Sequence, residues 1–185
     1  MGFVKERLIK QQNIEIMATK WLLDPTHSEI TFKVKHLMIS NVKGEFTTFN
    51  AEIEAEDDTF ANAKVSAIID TDSIFTNNTD RDNHLKSADF FNAEVNPKIT
   101  FEATSLNGNV TGNLTINGII KPVTLDVDFG GINSDPWGNT KAGFSFEGKI
   151  KRSDFGLTWN AALETGGVMV SEEVKIAGEL QFVKQ

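Results

Sequence analysis

From Trp21 onward, apolar and polar residues alternate one by one, and few folds accept that pattern over so long a stretch. Successive strand side chains point to opposite faces, so period two marks strands with one buried and one wet face. Ile30, Phe32 and Val34 alternate with Thr31, Lys33 and Lys35. Similar runs follow at residues 49–56, 64–70, 99–104, 110–116, 123–129, 142–150 and 174–182. Turn pairs stand between several of them: Asn107-Gly108, Asn117-Gly118, Gly130-Gly131 and the stretch Asp135-Pro136-Trp137-Gly138. Short links join antiparallel neighbours. The expectation is all-β: about eight antiparallel strands closed as an up-and-down barrel, with a two-sheet sandwich as the competing architecture.

One segment breaks the alternation. Residues 79–92, TDRDNHLKSADFFN, carry Thr79 and Asp82 at the spacing of a capping box, then Leu85 near helical spacing. This predicts one or two short helices, apolar side down, over one end or side of the barrel. Residues 153–173 form a long stretch rich in small residues that carries Phe155, Leu157, Trp159 and Met169. Loops of that length in a compact domain often act as lids.

Charge and composition exclude several functions. The 185-residue chain suits one domain and has a net charge of −8, a poor match for nucleic acid. It has no Cys, which excludes disulfides, thiolate metal sites and thiol nucleophiles. No run is long and apolar enough for a transmembrane helix. Residues 1–19 are expected to form a disordered or weakly helical tail before a barrel domain over 20–185. Lys5, Glu6, Arg7, Lys10 and Glu15 break every apolar run there, so no secretory signal is read, and the cytoplasm is the expected compartment. Met17 is a rival start to Met1.

Candidate chemistry is sparse. The three His residues, His27, His36 and His84, lack HxH or HxxxH spacing, so no metal site is expected. There is no GxSxG elbow and no phosphate-cradling glycine motif. Arg81, Asp82 and His84 cluster on the short helix. They suit either a polar rim that meets a ligand head group or a network that pins the helix, with Arg152 or Asp154 as partners. Neighbours in sequence, Arg81 and Asp82 do not face each other on one helix.

The aromatic balance bears on the interior. There are 14 Phe and no Tyr. Phe buries area and offers no hydroxyl. Phe32, Phe101, Phe144 and Phe146 share the apolar strand faces with small residues such as Gly112, Gly148, Gly178, Ala51 and Ala67. Eight strands can either close-pack or hold one slender ligand, and periodicity alone leaves both open.

The chain resembles a known family at several ordered segments. Asp24-Pro25-Thr26-His27-Ser28 leads into Ile30-Thr31-Phe32-Lys33-Val34-Lys35-His36-Leu37, then Val42-Lys43-Gly44-Glu45-Phe46. Next come Arg81-Asp82-Asn83-His84-Leu85-Lys86-Ser87-Ala88-Asp89-Phe90-Phe91 and Pro97-Lys98-Ile99-Thr100-Phe101. Gly112-Asn113-Leu114-Thr115-Ile116-Asn117-Gly118 and Arg152-Ser153-Asp154-Phe155-Gly156-Leu157 complete the match. These segments resemble the YceI-like family, the polyisoprenoid-binding proteins of bacteria. The resemblance covers about residues 21–182. It implies an elongated lipocalin-like barrel whose hydrophobic tunnel holds a long isoprenoid or similar lipid, without catalysis. Many relatives are exported to the periplasm, and this N-terminus departs from them. The resemblance implies ligand-binding positions at Phe32, Val34, Phe101, Leu114, Phe144 and Phe146 on strands. It adds Leu85, Phe90 and Phe91 by the helix, and Phe155, Leu157 and Trp159 in the loop. His36, Arg81, Asp82 and His84 complete the expected rim. No cofactor beyond a bound lipid is implied, and dimerisation stays open. The rival readings are an enzyme acting on a lipid head group through His84, Asp82 or His36, and a scaffold with a solid core.

Overall fold

The computed structural model describes residues 17–185. Most of the tail expected at 1–19 therefore lies outside the described residues, and the first strand already begins at Thr19. The strands are β1 (Thr19–Leu23), β2 (Glu29–His36), β3 (Ser40–Phe46), β4 (Phe49–Ala55), β5 (Ala63–Asp70) and β6 (Ile74–Phe75). After helix α1 (Thr79–Lys86) come β7 (Lys98–Ala103), β8 (Gly108–Ile116), β9 (Ile119–Ser134), β10 (Thr140–Lys151) and β11 (Val170–Lys184).

These form a closed barrel of eight ribbons, three of them broken. β1 pairs with β4, and β2 with β3, so β1–β2 and β3–β4 are two halves of one long hairpin. β5 pairs with β4, and β6 with β3, which makes β5–β6 the third broken ribbon. β7 to β11 follow as a meander, and β11 closes the ring against β2 and then β1. All pairings are antiparallel, and closure leaves no long free edge. The breaks have local causes. Pro25 has no N–H for the ladder, and residues 25–27 form a 3-10 turn capped by the Asp24 side chain.

In a meander, alternate connections lie at the same end. One end carries the β2–β3 turn, α1 with the chain up to β7, the β8–β9 hairpin and the 152–169 segment. Asn117 and Gly118 take φ of 53° and 72°, the left-handed pair that a two-residue hairpin needs. The Asn117 amide then donates to Phe90 O and Phe155 O, at 3.3 and 3.0 Å, and joins three connections of that end. Leu37 N donates to Met169 O at 2.8 Å and ties in the fourth.

Residues 87–97 form turns and no second helix. Asn78, not Thr79, caps α1, because its side chain accepts from Arg81 N at 2.9 Å. Asp82 is thereby freed from the capping box and turns to Thr76 instead.

Candidate functional site: an apolar bore with one blind end

The barrel is hollow. A cavity of about 200 Å³ runs inside it. Its wall comes from every ribbon, with Val34, Val65, Phe101, Leu114, Val123 and Ile176 as examples. Thr31 and Arg152 are the polar residues along it, and neither turns a polar atom inward. Water in such a space would forgo the two to four polar partners that ordered buried waters hold.

The glycines of the inner faces do not create the hollow by leaving gaps. Gly44, Gly112 and Gly178 are each covered by an aromatic ring from the next strand, and Gly148 is covered by the Leu125 side chain. A Cβ on Gly44 would lie 2.3 Å from the Phe32 ring, and a Cβ on Gly112 or on Gly178 would lie equally close to the ring of Phe101 or of Phe146. The rings therefore lie along the wall instead of pointing across the axis. This resolves the mixed Phe-and-glycine interior: flat rings line a bore that upright rings would fill.

One end of the bore is sealed. Trp21, Phe60, Phe129, Phe144 and Phe182 form a contiguous aromatic cluster, with centroid separations of 4.9 to 5.9 Å. Phe60 sits at its centre, fully buried, 4.9 Å from Phe144 in an edge-to-face contact. Phe182 borders both cluster and cavity. The expected tunnel is thus a blind bore.

The opposite end is covered by α1 and the 152–169 segment. Leu85, Phe90, Phe91 and Leu157 border the cavity there. Outside them, Trp159 and His84 pack at 4.8 Å, each against Phe90. Arg152 holds the covering segment in place. It is 3% exposed, and its guanidinium donates to Leu157 O (2.6 Å), Trp159 O (2.8 Å), Ser171 O (2.9 Å) and Val170 O (3.4 Å). Burial pushes its pKa down and Glu172, 3.8 Å away, opposes that. A guanidinium stays charged under such a shift.

The comparisons with known proteins agree with this architecture. The family model for the YceI-like domain matches residues 21–182. The chain belongs to the YceI-like family. A UPF0312 protein of Staphylococcus epidermidis is 44% identical over 166 residues, which is 89% of this chain and 97% of that protein. The crystal structure of a Campylobacter jejuni YceI protein superposes with a TM-score of 0.69 at 36% identity, covering 82% of this chain and 90% of that one. Burkholderia cenocepacia BcnA gives a TM-score of 0.71 at 25% identity, over 86% and 98%. A polyisoprenoid binding domain from Saccharophagus degradans shares the fold at a TM-score of 0.68 and 16% identity, over 89% and 98%.

Within this YceI-like barrel, nine of the residues singled out from sequence border the cavity: Phe32, Val34, Leu85, Phe90, Phe91, Phe101, Leu114, Phe146 and Leu157. Three do not. Phe144 lies in the aromatic seal, because alternation fixes which face a side chain takes but not its height along the axis. Phe155 is buried beneath the β8–β9 hairpin, where its carbonyl accepts from Asn117. Trp159 packs on the outer side of Phe90. Val65, Val123, Leu125 and Val127 also line the bore and were readable from the same alternation.

The expected rim residues do not converge on the cavity, and none of His36, Arg81, Asp82 and His84 borders it. Asp82 accepts from Thr76 N (2.9 Å) and Thr76 Oγ1 (2.5 Å), while Arg81 donates to Thr76 Oγ1 and Thr76 O at 2.8 and 2.7 Å. Both therefore pin α1 to the end of β6, and their partner is Thr76 instead of Arg152 or Asp154. His84 pairs with Asp89 at 2.8 Å on the exposed side of the turn. His36 ends β2 opposite Ser40 and Val170. Among the described residues, no three His, Asp or Glu side chains are grouped to hold a metal.

Proposed function

We propose that the protein is a binding or carrier protein that takes one slender apolar chain of isoprenoid type, such as a polyprenyl or quinone tail, into the blind bore. The observation that carries this reading is the cavity wall, apolar throughout and closed to water at one end. At about 200 Å³ the bore lies below the ~300–1,000 Å³ of sites for drug-sized ligands, which favours a thin chain over a fused-ring ligand. Each buried CH₂ contributes about 0.8 kcal/mol, so ten such groups supply about 8 kcal/mol, the micromolar range. That term is non-directional, so bore shape sets selectivity. With the far end sealed, the tail enters past α1 and the head group stays at that end. The polyisoprenoid binding domain with the same fold supports the chemical class.

The test is mass spectrometry of an organic extract of the purified protein, together with uptake of added polyprenol. Recovery or uptake of a long-chain lipid is expected, and Leu114→Trp, which fills the bore, is expected to abolish it. Uptake by Leu114→Trp equal to that of the parent overturns the reading. The rival enzymatic reading needs two titratable groups at the mouth within reach of one substrate atom, and the rim residues are turned to Thr76 and Asp89 instead.

A further inference from the structure

The outer wall near the mouth carries a charge pattern that the bore does not explain. Lys43 on β3 lies directly opposite Lys33 on β2. Lys33 lies opposite Lys175 on β11, and Lys175 opposite Lys149 on β10. Four lysines thus form one row across four adjacent strands. Like charges placed directly opposite one another destabilise a sheet. Lys33, Lys43 and Lys175 have no ion-pair partner among the described residues, and Lys149 reaches Glu173 at 3.7 Å. Lys33, Lys43 and Lys175 also edge an outer groove of about 470 Å³ in which Phe75 is exposed. In a chain of net charge −8, this is a local reversal of sign.

A second observation lies at the same end. Met38, Ile39, Val95 and Val168, on three of the connections that surround the mouth, are exposed, Ile39 at 83%, and so is Ile120, which stands at the start of β9 beside the fourth. Water-facing apolar side chains on or beside every one of those connections have no role in the core. Lys33 stands three residues up β2 from His36, roughly 10 Å at the rise of a strand. Amphipathic elements bury their apolar side about 5–10 Å into the boundary between head groups and acyl chains. Tips inserted to that depth bring the lysine row to the level of the phosphates.

We propose that this end of the barrel docks on an anionic phospholipid bilayer, with the β2–β3 turn inserted and the lysine row on the head groups. Asp89, Glu94, Asp154 and Glu164 share that end, and on β11 Glu172 and Glu173 are paired with Arg152 and Lys149, so the attraction comes from the three unpaired lysines and the barrel tilts onto the β11–β2–β3 side. The inference rests on the lipid-carrier reading and deepens it. A docked mouth lets an apolar tail pass from bilayer to bore without crossing water.

Co-sedimentation with vesicles of phosphatidylcholine, with and without phosphatidylglycerol, tests this on the full chain. Sedimentation with the anionic vesicles is expected, and salt should weaken it. Each lysine near an anionic surface is worth about five-fold in affinity, so Lys33→Gln, Lys43→Gln and Lys175→Gln together should cost about 100-fold. Lys20→Gln, Lys64→Gln and Lys184→Gln, at the sealed end, change net charge equally and should leave sedimentation within a few-fold. Ile39→Ser should weaken it at every salt concentration. Equal loss in both triple variants, or no preference for phosphatidylglycerol, overturns the proposal. Polyprenol uptake without vesicles separates the two readings. Uptake with no sedimentation overturns docking alone, whereas sedimentation with no uptake overturns the carrier reading on which docking rests.

Discussion

The ring of Phe32 lies across Gly44 on the neighbouring strand, so close that a Cβ on Gly44 would fall 2.3 Å from its Cζ. No backbone atom stands among the nearest contacts at that site, so the ring alone must move if Gly44 becomes Ala. The direction open to it is the bore. Gly44→Ala is expected to cost about 1–3 kcal/mol, the usual range for overpacking, and to reduce polyprenol uptake. Adding Phe32→Leu should recover both. A double-mutant cycle read by urea unfolding measures the coupling, and strict additivity would show that the ring is not held against the glycine.

Arg152 links four carbonyls on both sides of the segment that covers the mouth. Arg152→Met leaves them without that donor, at about 1–3 kcal/mol for each one that stays buried. The segment will open to water instead of keeping all four dry, so a loss of about 2–5 kcal/mol is expected. Arg152→Lys should recover little, since an ammonium cannot span the guanidinium's fork. Hydrogen exchange should rise in residues 157–171 first. Global exchange with no local change there would argue against a staple.

The eight alternating runs correspond one for one to the eight ribbons of the barrel, because each ribbon has one dry and one wet face. What the pattern hid has identifiable causes. β3 reads poorly as a strand because its inward position opposite Phe32 is Gly44, so the buried area belongs to the partner's ring. β1 stands apart from β2 because Asp24-Pro25 interrupts the ribbon. The separation of the lining Phe146 from the sealing Phe144 depends on height along the axis, to which alternation is blind. That height is set by ring closure and by the register shift between Gly143 and Phe144 on β10. The lysine row was invisible for a related reason: its members are far apart in the chain and become neighbours only through register.

Asp24 provides a pH test. Its carboxylate accepts from Thr26 Oγ1 (2.7 Å), Lys141 Nζ (2.9 Å) and Thr26 N (3.1 Å), and lies 2.8 Å from His27 Nδ1. The Thr26 hydroxyl, then Lys141, holds its pKa well below the usual carboxylate range. A carboxyl that is lowered on folding stabilises the native state above its unfolded pKa of about 3.9, and that contribution is lost as pH falls toward the folded value. Asp24→Asn should therefore cost about 1.5–3 kcal/mol at neutral pH. The gap between parent and variant should stay level above about pH 5 and shrink below about pH 4. Urea midpoints across pH measure it, and a gap that widens in acid would contradict the assignment.

Phe60 holds the seal from an unusual backbone position. Its φ is 57°, where a bulky residue is a rare outlier, yet it is fully buried and its carbonyl accepts from Leu106 N at 2.9 Å. Its ring meets Trp21, Phe129 and Phe144 at 5.3, 5.1 and 4.9 Å. Phe60→Ala should cost about 3–5 kcal/mol, as for other large-to-small changes in a packed core. Phe60→Leu keeps more of the volume and should fold, with a smaller loss. In that variant the bore gains a leak at its blind end. A bound fluorescent polyprenol should then dissociate faster, while the initial rate of uptake past α1 is unchanged. If uptake and release both stay at the parent's rates while stability falls, the cluster is core packing alone and does not form the floor of the bore.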